Sequence, residues 1–263
     1  MSGVRYEVGG EVATITLAAP EARNVLTTES MRALREHLAA ADADESVRVV
    51  VLTGEGTTFC AGADLAGAAA ADADSFTESG PGALVAVLEA MLELPKPIVA
   101  RVQGHVAGGG NGLVAAADLA VAVETARFAF SEVRVGVAPA VISVVCLARM
   151  TPAHARELLL TGERVSAERV REAGLVTAVA AEGALDSVVD GYVDALRRGG
   201  PQALAATKEL LRRVPSLPRE EAFAWTAAMS AGLFGSDEAR AGMSAFLERR
   251  PAPWAPQASS DAS

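Results

Sequence analysis

The sequence predicts an α/β fold, because strand-like and helix-like segments alternate through its first 125 residues. Hydrophobic residues make up 51% of the 263 residues and aromatic residues only 4%. The core must therefore consist mostly of Ala, Val and Leu, which suits helices packed closely on a parallel sheet. From residue 152 onward only helix-like segments follow. These observations predict a core of strands and helices followed by a helical C-terminal part.

The elements of the first half are predicted from hydrophobic periodicity and turn residues. Residues 4–8 and 12–17 alternate around Gly9-Gly10 and predict a β-hairpin. Residues 57–65 are predicted as a compact turn and residues 67–82 as a mobile loop. The other predicted strands are residues 47–53, 98–102, 119–124 and 127–131, and the predicted helices are residues 30–41, 83–94, 110–117, 152–160, 167–173, 185–198, 201–213, 219–234 and 237–249.

The composition excludes several classes of function. A net charge of −10 argues against a nucleic-acid partner, which would require a basic surface. The two cysteines and three histidines lack the spacing of metal ligands, so no metal is expected. No apolar signal region opens the chain, and the longest uncharged apolar stretch, residues 135–148, is too short to span a membrane. A soluble, reduced, cytoplasmic protein is expected.

The most informative segment is residues 99–112, VARVQGHVAGGGNG. An apolar run leads into three consecutive glycines and then into small residues, which predicts a strand that turns sharply into a helix. Glycine lets a ligand oxygen approach its peptide N–H closely, and a helix N-terminus favours negative charge. The turn is therefore a candidate oxyanion site. A tight strand–helix turn without a ligand is the alternative.

Two other segments, FCAGADL at 59–65 and FAFSEVRVG at 128–136, accompany this turn. With them the chain resembles the crotonase superfamily, also called the enoyl-CoA hydratase/isomerase family. The resemblance extends over residues 4–254. The blocks that carry it are, in order, VRVVVLTGEGTTFCAGADL, KPIVARVQGHVAGGGNGL, ARFAFSEVRVGVAP, LLLTGERVSAERVREAGLV and EARAGMSAFLERRPAPW.

The resemblance implies a fold and an organisation. The fold is a crotonase (ClpP-like) spiral of repeated ββα units with a C-terminal helical region that forms trimers. Residues 1–195 are then the spiral core, residues 196–254 the oligomerisation region and residues 255–263 a frayed tail. The expected assembly is a homotrimer or a dimer of trimers.

The resemblance also implies a substrate and a site. The substrate is an acyl-CoA thioester of fatty acid metabolism, and coenzyme A is part of the substrate, so no separate cofactor is needed. The peptide N–H groups of Ala63 and Gly109 form an oxyanion hole for the thioester oxygen. The positions implied in binding CoA or substrate are Arg23, Val25, Ala61, Asp64, Leu65 and Gly108, with Arg249 reaching CoA phosphate from a neighbouring subunit.

The acid/base residues depart from the family pattern. Its hydratases use two glutamates, but here Gly112 occupies the first position and Glu132 the second. Hydration with Glu132 and a second acid/base, which comes from elsewhere or from ordered water, is the leading hypothesis, and the stretch SEVRVGVAPAVISVV favours it. An isomerase with Glu132 as its only base, or an acyl-CoA-binding protein without turnover, are the alternatives. Glu89 is a candidate for the missing acid.

Three other polar residues near these segments are expected to be structural. Cys60 lacks a matching His or Asn, so a small buried residue is expected rather than a nucleophile. His105 is expected to pack in the core, and Asp118 is expected to have a structural role.

Overall fold

The computed structural model describes residues 3–64 and 80–256. Most of the predicted loop at 67–82, together with Leu65, therefore lies outside the described residues. The chain divides into two compact units. The first comprises residues 1–94 and 98–189, and the second comprises residues 95–97 and 190–263.

The first unit contains a six-stranded sheet that is parallel except at one edge. The two N-terminal strands form the predicted hairpin, and the others run parallel to its second strand. In spatial order the strands are β1 (Val4–Gly9), β2 (Val12–Leu17), β3 (Val49–Gly54), β5 (Ile98–Val102), β7 (Leu119–Val123) and β10 (Ala178–Ala180).

A second sheet of four short strands lies in the same unit. In spatial order its strands are β4 (Thr58–Cys60), β6 (His105–Ala107), β8 (Arg127–Ala129) and β9 (Arg164–Ser166). The prediction of a compact turn over residues 57–65 was therefore wrong in part, because β4 lies within it. The predicted strand over residues 127–131 ends at Ala129, and a 3-10 helix follows at Ser131–Val135.

The two sheets alternate along the chain. Strands β3, β5 and β7 of the large sheet are each followed by a short strand of the small one, β4, β6 and β8, before the next helix. This confirms the predicted repetition of ββα units. Among the described residues, the helices of the first unit are α1 (Thr28–Ala43), α2 (Pro81–Glu93), α3 (Gly109–Ala116), α4 (Ala140–Cys146), α5 (Pro152–Thr161) and α6 (Ala167–Ala173), and α7 (Leu185–Arg197) includes residues of both units.

Local chemistry explains where helix α1 begins. Thr27 caps it: its side chain accepts a hydrogen bond from the Ser30 N–H at 3.1 Å, and the Ser30 hydroxyl accepts one from the Thr27 N–H at 2.9 Å. This reciprocal pair satisfies two N–H groups that a helix start otherwise leaves unpaired. Helix α4 was not predicted as an element, since its sequence, AVISVVC, has the uniform apolar character of a strand as much as of a helix.

The described residues of the second unit are helical, as the sequence predicts, but the prediction of helices alone from residue 152 onward was wrong in part, because β9 and β10 lie at residues 164–166 and 178–180. The second unit contains α8 (Pro201–Arg213), α9 (Arg219–Phe234) and α10 (Asp237–Leu247). The carboxylate of Glu238 accepts hydrogen bonds from the N–H groups of Gln202 and Ala203 at 2.9 and 3.0 Å, which caps α8. Among the described residues, no helix is both long and apolar enough to cross a membrane.

Candidate active site

The first glycine turn follows β4. Gly62 has a φ of +89°, which favours glycine. The turn is tied to residues 23–26 by two hydrogen bonds: Ala61 N–H donates to the Arg23 carbonyl at 3.0 Å, and Leu26 N–H donates to the Gly62 carbonyl at 2.7 Å. The structure thus brings together Arg23 and Ala61, two of the residues implied in CoA binding.

The second glycine turn joins β6 to α3. Gly108 has a φ of +50° and a ψ of −125°, a conformation that side chains strongly disfavour. Its N–H donates to the Ala129 carbonyl at 3.1 Å. Helix α3 begins at the next residue, Gly109. The predicted sharp passage from strand to helix is therefore confirmed.

The two turns are in direct contact through their backbones. A Cβ atom on Gly62 would lie 2.9 Å from the Ala107 carbonyl oxygen and 3.1 Å from the Gly109 nitrogen. A Cβ atom on Gly110 would lie 2.7 Å from the Cys60 carbonyl oxygen. Both glycines are therefore required by close packing, and this packing brings the Ala63 and Gly109 peptide groups to neighbouring positions.

The N–H groups of Ala63 and Gly109 take no part in the bridge or the helix that contains each residue. Gly109 is the first residue of α3, so its N–H has no acceptor within the helix. Ala63 forms a parallel bridge with Leu26, and such a bridge takes its hydrogen bonds from the residues on either side of Ala63. Its own N–H therefore points away from Leu26, and Ala63 is exposed.

Glu132 lies beside the second turn, on the 3-10 helix that follows β8. Its Oε1 atom lies 3.6 Å from the position of a Cβ atom on Gly108. Its Oε2 atom is buried and has no hydrogen-bond partner among the described residues. Burial raises the pKa of the Glu132 carboxyl, and a hydrogen bond from its own backbone partly offsets this effect. The Glu132 carboxyl therefore holds a proton more readily than an exposed glutamate does.

The position of the family's other glutamate is closed by apolar side chains. A Cβ atom on Gly112 would lie 2.7 Å from Cγ2 of Ile142 in α4 and 3.5 Å from Cδ2 of Leu88 in α2. Glu89, the candidate for the missing acid, is exposed on α2. Leu84 and Leu88 are the residues of that helix that lie against Gly109 and Gly112 of α3. The structure therefore does not bring the Glu89 carboxyl to this position.

The remaining binding candidates lie at different places. Arg23 is exposed with a φ of +54°, and Val25 is half-buried in the same segment. Asp64 follows Ala63 in the first turn and is half-buried. Leu65 lies outside the described residues. Arg249 belongs to the second unit and lies two residues after the end of α10.

Sequence reasoning missed Asn24, which holds the Arg23 segment in place. Asn24 is 2% exposed with a φ of +53°. Its Oδ1 accepts from the Ala19 N–H at 2.9 Å, and its Nδ2 donates to the carbonyls of Glu55 and Thr58 at 3.0 and 2.7 Å. Asn24 lies in a left-handed turn beside Arg23 and not in a periodic helix or strand, so no hydrophobic pattern in the sequence marks it.

Two of the three polar residues that were expected to be structural accept backbone hydrogen bonds, and the third, Cys60, is buried. The Asp118 carboxylate accepts from the Ile98 N–H at 2.7 Å, and His105 Nδ1 accepts from the Arg127 N–H at 3.1 Å. Cys60 is fully buried, and burial raises the pKa of its thiol to about 12. A thiol in this state is not a ready nucleophile.

Comparison with known proteins places this chain in a family. The profile described as enoyl-CoA hydratase/isomerase matches residues 7–257. Enoyl-CoA hydratase EchA19 of Mycobacterium tuberculosis is 35% identical over 245 residues, covering 92% of each chain. Carnitinyl-CoA dehydratase of Salmonella paratyphi A is 33% identical over 251 residues, covering 93% of this chain and 95% of the relative.

The solved structures agree with the sequence comparison. The crystal structure of an enoyl-CoA hydratase from Mycobacterium smegmatis superposes with a TM-score of 0.91 at 36% identity, covering 96% of this chain and 98% of the other. The two glycine turns and the fold thus define a crotonase-type protein. The chain belongs to the enoyl-CoA hydratase/isomerase family.

Proposed function

We propose that this protein is an enoyl-CoA hydratase-like lyase, which adds water to, or removes it from, the double bond of an enoyl-CoA. The observation that carries the proposal is the contact of the two glycine turns beside the Glu132 carboxyl. The relatives named as hydratase and dehydratase support the same reaction type.

The proposed mechanism stabilises an enolate. Ile142 and Leu88 close the position of the family's other glutamate, so in this mechanism Glu132 makes both proton transfers. It removes a proton from water, the water oxygen bonds to the β-carbon, and the electron pair of the double bond moves towards the thioester. The oxygen that gains negative charge accepts hydrogen bonds from the Ala63 and Gly109 N–H groups. Glu132 then delivers its proton to the α-carbon, and dehydration follows the same steps in reverse. Fixed donors of this kind each lower the barrier by about 3–4 kcal/mol in other enzymes.

In this proposal the protein binds the substrate through its CoA part. Arg23, Val25, Ala61, Asp64 and Leu65 bind it in this proposal, with Arg249 of a neighbouring subunit contacting its phosphate. The N–H of Gly108 already donates to Ala129. Gly108 therefore contributes by letting the thioester approach closely. The reaction needs only proton transfer and polarisation of a carbonyl, so no cofactor besides the substrate's CoA is proposed.

One observation favours a second candidate, a Δ3,Δ2-enoyl-CoA isomerase. Ile142 and Leu88 close the position where the hydratases carry their first glutamate. A single carboxyl is sufficient to move a proton between two carbons, because the same group removes it from one and delivers it to the other. In this alternative Glu132 is the only proton carrier, and the oxyanion hole has the same role.

The two reactions are distinguished by the absorbance of the conjugated thioester. A hydratase consumes this absorbance when it is given crotonyl-CoA, whereas an isomerase produces it from a 3-enoyl-CoA. We expect loss of absorbance with crotonyl-CoA. Production of absorbance from the 3-enoyl-CoA alone would establish the isomerase, and binding of CoA esters without turnover of either would contradict both enzymes.

A homotrimer or dimer of trimers is also proposed. Within the second unit several large apolar side chains are exposed to solvent, as expected of a surface that packs against other subunits. They are Leu211, Phe223, Phe234, Phe246 and Leu247, which are 68–82% exposed. Sedimentation of the purified protein tests this assembly, and a monomer would contradict it. The two free thiols, both buried, suit the proposed cytoplasmic location.

A further inference from the structure

Asn111 is a fully buried polar residue that the mechanism above does not use. It is the third residue of α3 and is 0% exposed. Its Nδ2 atom donates to the Ala129 carbonyl at 2.9 Å and to the Gly108 carbonyl at 3.3 Å. Its Oδ1 atom is buried without a hydrogen-bond partner among the described residues.

These contacts connect the second glycine turn to the end of β8. The Ala129 carbonyl accepts from both Asn111 Nδ2 and the Gly108 N–H. Gly108 directly precedes Gly109, whose N–H belongs to the proposed oxyanion hole. Ala129 is the last residue of β8, three residues before Glu132.

We propose that Asn111 is a positioning residue, which fixes the separation between the Gly109 N–H and the Glu132 carboxyl. The proposal rests on the proposed function, since the separation matters only if both groups act on one thioester. An enolate forms next to the carbon that exchanges the proton, so the donor and the carboxyl must keep a fixed geometry. Small displacements of such groups reduce rates severely.

The unpartnered oxygen of Asn111 argues against a role in stability alone. Helix α3 is otherwise built from glycine, alanine, leucine and valine. An apolar side chain at residue 111 would avoid burying an acceptor without a partner, which costs free energy. What the amide supplies is its two donor hydrogens, and both are directed at carbonyl groups of the site.

The test compares Asn111→Ala and Asn111→Ser with the wild type and with Thr177→Val. The control removes a side-chain hydrogen bond of similar length, which Thr177 accepts from the Ala120 N–H at 3.0 Å between β7 and β10. We expect Asn111→Ala to lower kcat by about 10²-fold and to leave KM for the CoA ester within about twofold. The Asn111→Ser variant, whose hydroxyl still donates one hydrogen bond, recovers part of the rate.

A second readout monitors the oxyanion hole without turnover. Acetoacetyl-CoA forms an enolate with its own near-ultraviolet absorbance, and two fixed donors favour that enolate in the bound state. We expect the bound enolate fraction at a given pH to fall in both Asn111 variants and to stay unchanged in Thr177→Val. This comparison remains decisive with Asn111→Ser if Asn111→Ala does not fold.

The outcomes separate the two proposals. A wild type that does not turn over enoyl-CoA overturns the proposed function, whether or not it binds acetoacetyl-CoA. An active wild type whose Asn111 variants keep both kcat and the enolate fraction overturns the positioning role. The same conclusion follows if both variants lose only stability, which is the result expected of Thr177→Val.

Discussion

Gly62 packs its Cα against the backbone of Gly109, so that a Cβ atom on Gly62 would lie 3.1 Å from the Gly109 nitrogen. The two turns that carry the proposed oxyanion donors therefore contact each other without an intervening side chain. Glycine at position 62 therefore allows the close approach of the two turns that carry the Ala63 and Gly109 N–H groups.

This contact gives a matched pair of substitutions. Gly62 and Gly183 have nearly equal φ values of +89° and +85°, but a Cβ atom on Gly183 would meet nothing within 4 Å. We expect each change to alanine to destabilise the protein by about 1–2 kcal/mol through backbone strain. Gly62→Ala should lose further stability and most of the activity, whereas Gly183→Ala should stay active. Equal melting temperatures and equal activities would contradict this account.

Glu132→Gln tests the proton carrier. The amide keeps the size of the side chain but cannot exchange a proton, so we expect kcat to fall by about 10²–10⁴-fold. Binding of acetoacetyl-CoA should persist, because the N–H donors come from the backbone of other residues. Steady-state kinetics and a binding titration measure the two effects. An unchanged kcat would remove Glu132 from the mechanism.

The raised pKa of Glu132 predicts how activity depends on pH. The carboxylate form is the base, so kcat/KM should rise with pH through the pKa of Glu132 and then level off. This rise should occur above the pH at which an exposed glutamate ionises, because burial raises the pKa. Glu132→Gln should abolish this limb of the profile. A rise centred at the ordinary pKa of a glutamate would contradict the burial of the group.

The same shift predicts a change in stability. Between the pKa of Glu132 in the unfolded chain and its higher pKa in the folded chain, the folded state binds more protons. The contribution of Glu132 to stability is therefore lost as pH rises through this window. We expect Glu132→Gln to raise the melting temperature at about pH 8 and to leave it unchanged at about pH 4. An equal effect at both values would show that the amide acts through packing.

The contact between Gly112 and Ile142 indicates how the missing glutamate could be restored. Gly112→Glu alone should destabilise the protein by about 1–3 kcal/mol through overpacking against Ile142. Combining it with Ile142→Ala should recover stability relative to the sum of the single changes and should increase hydration of crotonyl-CoA. Unfolding curves for the wild type, both single variants and the double variant measure this coupling. Strict additivity would show that Ile142 does not occupy this space.

The sequence predicted the parts of the fold that depend on local pattern. The hairpin, strands β3, β5 and β7 and the turn at residues 108–110 have clear alternation, buried apolar runs or glycine clusters. Strands β4, β6, β9 and β10 were not predicted as elements, because three residues are too few to show a period. Their hydrogen bonds come from distant segments, so they form only once the fold is assembled.

The residues of the candidate site also divide into those that a local sequence pattern predicts and those that it does not. Glu132 and the glycine turns were predicted from residues that stand close together in sequence or match a family motif. Asn111 and Ile142 were not, since their importance lies in contacts with Ala129 and Gly112 that bring distant elements together. The exposed position of Glu89 likewise depends on which face of α2 packs against α3.

The most direct test of the account is a crystal structure with acetoacetyl-CoA bound. We expect the thioester oxygen to lie about 3 Å from the backbone nitrogens of both Ala63 and Gly109, with the Glu132 carboxyl facing the carbon next to the thioester. A thioester oxygen bound elsewhere, or in contact with only one of these nitrogens, would contradict the central claim.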